Sequence, residues 1–342
     1  MAATTTLRQR PPLPHKAGGI GFDASLTPDV ALQRVTAACL AQLEANTPGA
    51  LAFARRGAGG DSAGTNSRGN AGSAATAEHV HQMRVALRRL RCAWRFFDSA
   101  AARYARKRFG PGLRRLARVL GEQRNWDVFI TSRLPHCGLA PGPLARARRQ
   151  ALQRRSEARQ RVHTWLTAPA HGCLLVGLQR WLASLAAKGG AAGGGTLHDP
   201  PPAEKSTLRK VARKGLARLQ RGVKRGAKHF LTMPDEERHA VRINVKRLRY
   251  AADVTGALFE AAAVKRFTTA LAALQQLLGE LTDISMARTM VRSLGLDQAA
   301  VDGAQDALRA QEVALLRALP RRFVKVQAAA GFWKRGHRKQ AG

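Results

Sequence analysis

Two segments of the sequence space histidine, arginine and lysine three and four residues apart: His81, Arg84, Arg88, Arg91 and Arg95 in one, His239, Arg242, Lys246 and Arg249 in the other. That spacing returns side chains to one side of an α-helix. The first set makes a stripe about 80° wide and ~21 Å long at a rise of ~1.5 Å per residue. Arginine's planar fork engages two oxygens of one anion, and lysine adds a mobile point charge. A histidine beside a bound anion keeps its proton, because an opposite charge favours the charged form. Neither row carries paired carboxylates or a nucleophile beside a base, so the chemistry on offer is the grip on a polyanion. Between residues 79 and 121 the single acid, Asp98, stands against twelve Lys and Arg. Like charges at this spacing cost an isolated helix about 0.2–0.5 kcal/mol per pair. Local carboxylates do not offset that cost; an external polyanion would.

These rows need helices that seat them. Met83, Leu87, Leu90, Trp94 and Phe97 share a face beside the first stripe, and Val241, Val245 and Leu248 do so beside the second. Each basic row therefore lies at the shoulder of a packing seam. Asp253 stands where Arg95 stood, which shortens the second row. Arg89 and Arg247 point about 80° to the other side of the stripe, where they either extend the basic surface or cover the bundle edge.

The two rows belong to a longer repeat. The segment beginning at His81 recurs 158 residues later at His239, and LRRLARVLGE at 113–122 recurs at the same offset as LAALQQLLGE at 271–280. Two blocks that hold one offset imply a supersecondary unit used twice. Leucine and alanine recur with helical period through most of the chain, giving ten or eleven helices and no strand. The expected fold is all-α: two similar helical bundles built from the repeat.

A Gly/Ala/Ser/Asn tract at 57–77 reads as a low-complexity insertion, and the Gly-to-Pro run at 189–203 as the linker between a first repeat (22–188) and a second (204–327). Residues 1–21 are expected to be disordered and 328–342 to form a basic tail. Pro169, His171 and Gly172 mark a break between two helices rather than a membrane span. A further basic helix begins near residue 204. Lys210, Arg213, Lys214, Arg221 and Lys224 lie on one side of it and would widen the anion track. Arg146, Arg148, Arg149, Arg155 and Arg159 make a less ordered basic helix that reads as a solvated face.

The whole chain of 342 residues has 58 Lys+Arg and 22 Asp+Glu, a formal charge of +36. That excess exceeds any need of solubility and points to a polyanionic partner. A hydrophobic content of 45% is enough for a buried core. Biased composition can supply arginines, but it does not align them. Four separate cysteines without a CxxC pair indicate neither a disulfide framework nor a zinc site. No GxxxxGK[ST], HExxH or GxSxG occurs. The sparse acids offer no converging carboxylates of the kind a metal-assisted phosphoryl hydrolase needs. Hence no catalytic residue, cofactor or metal is expected.

At His81-x-x-Arg84-x-x-x-Arg88-Arg89-Leu90-Arg91 and at its copy His239-x-x-Arg242-x-x-x-Lys246-Arg247-Leu248-Arg249, the sequence resembles the CHAD family, the conserved histidine α-helical domain. The Leu-Gly-Glu turns support the likeness, which runs over about 22–327, although Asn125 stands where the family usually shows Asp. The resemblance implies an all-α fold of two similar four-helix-type bundles with pseudo-twofold symmetry, a basic groove at their junction, binding of inorganic polyphosphate, and association with polyphosphate granules in the cytoplasm. No ExExK strand of the CYTH domain found in some members occurs. The runner-up is a nucleic-acid binder, which shares the electrostatics but lacks stacking aromatics or a known motif, the tail with Phe332 and Trp333 excepted. A third reading is an accessory subunit that presents polyphosphate to a separate enzyme.

Overall fold

In the computed structural model, residues 13–20, 22, 25–56, 67–191 and 208–334 are described, and among them ten α-helices and no strand occur. Six come from the first half: α1 (Pro28–Arg56), α2 (Ser67–Phe97), α3 (Ala100–Arg108), α4 (Gly110–Val128), α5 (Pro141–Thr167) and α6 (Pro169–Ala191). Four come from the second: α7 (Leu208–His229), α8 (Asp235–Thr255), α9 (Ala261–Arg292) and α10 (Gln298–Ala329). The apolar period sets the buried faces. Leu113, Leu116 and Leu120 are buried along α4, and Phe267, Leu271, Leu274, Leu278 and Leu281 along α9. Helix ends follow local chemistry. Asp98 takes the left-handed conformation (φ 50°) after α2, and the Ser99 side chain accepts from the Ala102 amide to start α3. Ala168 alone separates α5 from α6, at the break marked by Pro169.

Helix pairing runs in the same order in both halves. α1 packs on α2, α2 on α4, α4 on α5, and α5 back on α1. α7 packs on α8, α8 on α9, α9 on α10, and α10 back on α7. The two motif helices, α2 and α8, hold corresponding places in these rings, as do α4 and α9. α3 and α6 are additions: α3 bridges α2 and α4, and α6 lies outside against α1 and α5.

The halves are more fused than two linked bundles would be. One hydrophobic cluster extends from Leu32 and Trp94 in the first half to Leu248 and Phe267 in the second. Another joins Trp126, Phe129 and Leu134 to Ile284, Met290 and Leu308. α2 also packs directly on α8, and a π-helical turn at Phe129–Arg133, just after α4, packs on α9.

Three expected boundaries shift. Residues 67–77 of the supposed insertion belong to α2, while 57–66 lie outside the described residues. α6 continues to Ala191, and the remainder of the 189–203 linker lies outside them. Residues 13–20 are not disordered: the His15 amide donates to Asn46 Oδ1 (3.1 Å), and Asn46 Nδ2 donates back to the His15 carbonyl (2.9 Å). The C-terminal expectation needs correction too. Phe332 and Trp333 are buried, each with its ring centroid 5.4 Å from that of Phe267, because large aromatics gain more from a core than from an aqueous surface. They are not free to stack on nucleic acid.

Candidate functional site

α2 and α8 cross with their basic rows facing one another. Arg84, Arg88, Arg91 and Arg95 from α2 line a cleft of about 300 Å³ together with His239, Arg242, Lys246 and Arg247 from α8. Its floor is Leu87, Cys92, Ile243 and Ala117, the last from α4. No carboxylate lines it. The apolar faces beside the rows explain the arrangement: Met83, Leu87 and Leu90 seat α2, and Val241, Val245 and Leu248 seat α8. That seating leaves Arg84, Arg88, Arg91, Arg242 and Arg247 half-buried at the seam, and Arg95 exposed.

Crowding of like charge in this partly desolvated space weakens the hold on protons. Burial, reinforced by Arg242, Arg88 and Arg84, brings the Lys246 ammonium down to about 7 against the pull of Asp283. Burial also lowers Arg84, to about 10, with Arg88, Arg124 and Arg242 adding to the effect. The His239 imidazole is held below its ordinary value by burial and then by Arg242 and Lys246. His81 is lowered by burial and by Arg124, Arg88 and Arg84, with Glu78 opposing. Without an anion both imidazoles are thus biased towards neutrality, and a phosphate beside them would reverse that sign.

Several groups fix the geometry. Arg88 lies over the ring of Tyr250, 5.4 Å from its centroid, which orients the guanidinium and links the helices through a cation–π contact. The two Leu-Gly-Glu segments are not turns but lie inside α4 and α9, and Gly121 of the first comes so close to Arg84 that a Cβ there would stand 2.6 Å from Nη1. Gly279, its counterpart in α9, has open space instead.

The predicted residues do not all converge. His81 borders the cleft beside Arg84 without lining it. Arg249 is half-buried and pairs with Asp253 at 3.7 Å, so part of its charge is offset within the protein. Arg89 turns away, donates to the Gly18 carbonyl (3.5 Å) and lines a neighbouring pocket that also reaches Arg95 and Arg247. The α7 set requires correction. None of Lys210, Arg213, Lys214, Arg221 and Lys224 lines the cleft. Lys210, Lys214, Arg221 and Lys224 are exposed, and Arg213 lines a separate cavity with Arg209 and Arg266. α7 presents Arg218 and Arg225 towards α2 and α8 instead. Arg159 is not a solvated residue either: it is buried, 4.0 Å from Asp127.

Arg124 and Asp283, which follow the Leu-Gly-Glu segments that carry the family likeness, and Arg133 were not assigned to the site from the sequence. Arg124 adds positive potential at Arg84 and His81. Asp283 is half-buried near Arg242, Arg133, Lys246 and Arg124, and burial raises its carboxyl despite these cations. The repeat offset carried a signal: Asp283 stands 158 residues after Asn125, so one copy has a charge where the other has an amide.

A sequence profile of the CHAD domain matches residues 34–292. Among solved structures, the crystal structure of the CHAD domain from the plant Ricinus communis is similar with a TM-score of 0.67, at 23% identity over 91% of this chain and 96% of that one. PptA from Streptomyces chartreusis gives a TM-score of 0.47 at 17% identity, over 91% of this chain and 100% of that one. No curated protein matches the chain.

Proposed function

The chain belongs to the CHAD domain family, and from that premise we propose that it binds inorganic polyphosphate in the cleft between α2 and α8, without turning it over. The observation that carries this reading is the meeting of seven Arg and Lys side chains and His239 in one cleft that no carboxylate lines. A repeating phosphate chain matches it, because a uniform polymer needs no reader of sequence, only successive cations at helical spacing. Arginine forks engage pairs of phosphate oxygens, and the half-buried setting strengthens each contact relative to an exposed one. Arg84, Arg88, Arg91, Arg242 and Lys246 form the centre of the grip, with His81, His239 and Arg249 at its margins. In the cell the same grip would hold the protein to polyphosphate granules.

The test is competition at near-physiological salt. Labelled long-chain polyphosphate should stay bound when challenged with duplex DNA or single-stranded RNA at equal phosphate concentration. Displacement by unlabelled polyphosphate should weaken as the competitor shortens. The double change Arg84→Ala with Arg242→Ala should cost far more affinity than Arg309→Ala with Arg317→Ala on α10. Ready displacement by DNA, or equal losses in the two double variants, would replace a defined cleft with a diffuse basic coat. Phosphate release by pure protein with Mg²⁺ would overturn the non-catalytic reading.

A further inference from the structure

Beside the basic cleft, on the other side of Cys92, Arg95 and Arg247, lies a second cavity of about 500 Å³ between α2, α7 and α8. Its composition differs from that of the cleft. Ala93, Phe96, Phe97, Leu219, Ala251 and Val254 give it an apolar wall, which an inorganic phosphate chain has no means of using. Arg218, Arg225 and Arg247 stand over that wall, and Asn244 and Tyr250 add a side-chain amide and a phenol. Asp98, the one acid among the lining residues, is already engaged by Arg106 at 2.8 Å. Asn244 Oδ1 accepts from Arg247 at 3.4 Å, which holds the amide at the junction between the two cavities.

We propose that this cavity receives the nucleoside of a nucleoside polyphosphate, whose phosphates run past Arg95 and Arg247 into the basic cleft. The inference rests on the anion-binding reading of that cleft. Size agrees, since small-molecule sites span about 300–1,000 Å³. So does the mixture of surfaces. A heterocyclic base has flat apolar faces for the aromatic wall and a hydrogen-bonding edge for Asn244 and Tyr250, and the cations sit where the phosphates would leave. A plain fatty anion would leave the amide and phenol without a match, and free phosphate would leave the wall unused.

The discriminating pair is ATP and inorganic tripolyphosphate, measured by calorimetry without divalent metal. Charge density alone ranks tripolyphosphate first. The proposal expects ATP to bind about tenfold tighter, the gain from one stacked base. Gly222 of α7 provides a variant that spares the clamp: it lines the cavity, and a Cβ there meets the Asn244 amide at an ordinary 3.6 Å. Gly222→Trp should fill the space and remove the ATP advantage while leaving tripolyphosphate and long-chain polyphosphate unchanged; the retained polyphosphate binding reports an intact fold. If wild-type protein holds long polyphosphate yet prefers tripolyphosphate to ATP, or if Gly222→Trp weakens both equally, the nucleoside site is wrong and the proposed function stands. If wild type binds neither long polyphosphate nor tripolyphosphate, the proposed function is the one that fails. ATP binding that remains in that case, and is lost in Gly222→Trp, would support the cavity alone.

Discussion

At the scale of single residues, an ammonium that titrates near pH 7 lines the cleft, and one carboxylate, Asp283, lies outside the lining but close to its cations. Lys246 sits at about 7 because burial and neighbouring arginines penalise its charged form. An incoming phosphate chain favours that form, so binding should draw in protons. The sign follows: affinity for long-chain polyphosphate rises as pH falls towards about 7, the range in which the free ammonium has surrendered its proton, and levels off below it, where the free protein already carries that proton. Calorimetry at pH 8 in buffers of different ionisation enthalpy should show net uptake, and Lys246→Arg should keep the affinity but reduce the uptake. Asp283 acts in the opposite sense. It supplies a resident negative charge near Arg242 and Lys246, so Asp283→Asn should tighten polyphosphate binding several-fold. An unchanged affinity would mean that the chain does not pass near α9.

At the scale of elements, the glycines of the two Leu-Gly-Glu segments, inside α4 and α9, make an internal comparison. A methyl at Gly121 must displace the end of Arg84, whereas one at Gly279 meets nothing within 4 Å. Gly279→Ala should therefore add about 0.5–1 kcal/mol of stability through helix propensity and leave binding alone. Gly121→Ala should fold equally well yet bind polyphosphate more weakly, because Arg84 is re-aimed. Chemical denaturation and a binding isotherm on the same pair would decide it. Helix identity and the two basic rows were legible in the sequence because both are local: a period of 3.6 residues and an offset of 158 need no tertiary knowledge. What escaped was set by how helices cross. On α7 every turn carries a cation, and all four of Lys214, Arg218, Arg221 and Arg225 are exposed, so periodicity does not tell that Arg218 and Arg225 are the ones lining the cavity against α2 and α8. Arg124 and Asp283 likewise come near the cations of the cleft only because α4 and α9 bring them beside α2 and α8.

At the scale of the whole molecule, the two halves share their hydrophobic interior, so neither can open without exposing the other. Thermal unfolding should proceed in one transition by both circular dichroism and tryptophan fluorescence, and saturating polyphosphate should raise its midpoint by mass action. Two separate transitions would contradict the common interior. The last described residues matter in the same way. Because Phe332 and Trp333 turn back onto Phe267, the segment that follows α10 is an anchor. A fluorescent reporter joined directly after Ala330 would strip two aromatic plugs from beneath α9 and send a half-melted fusion to the microscope, whereas one attached beyond Lys334 would report where the intact protein resides.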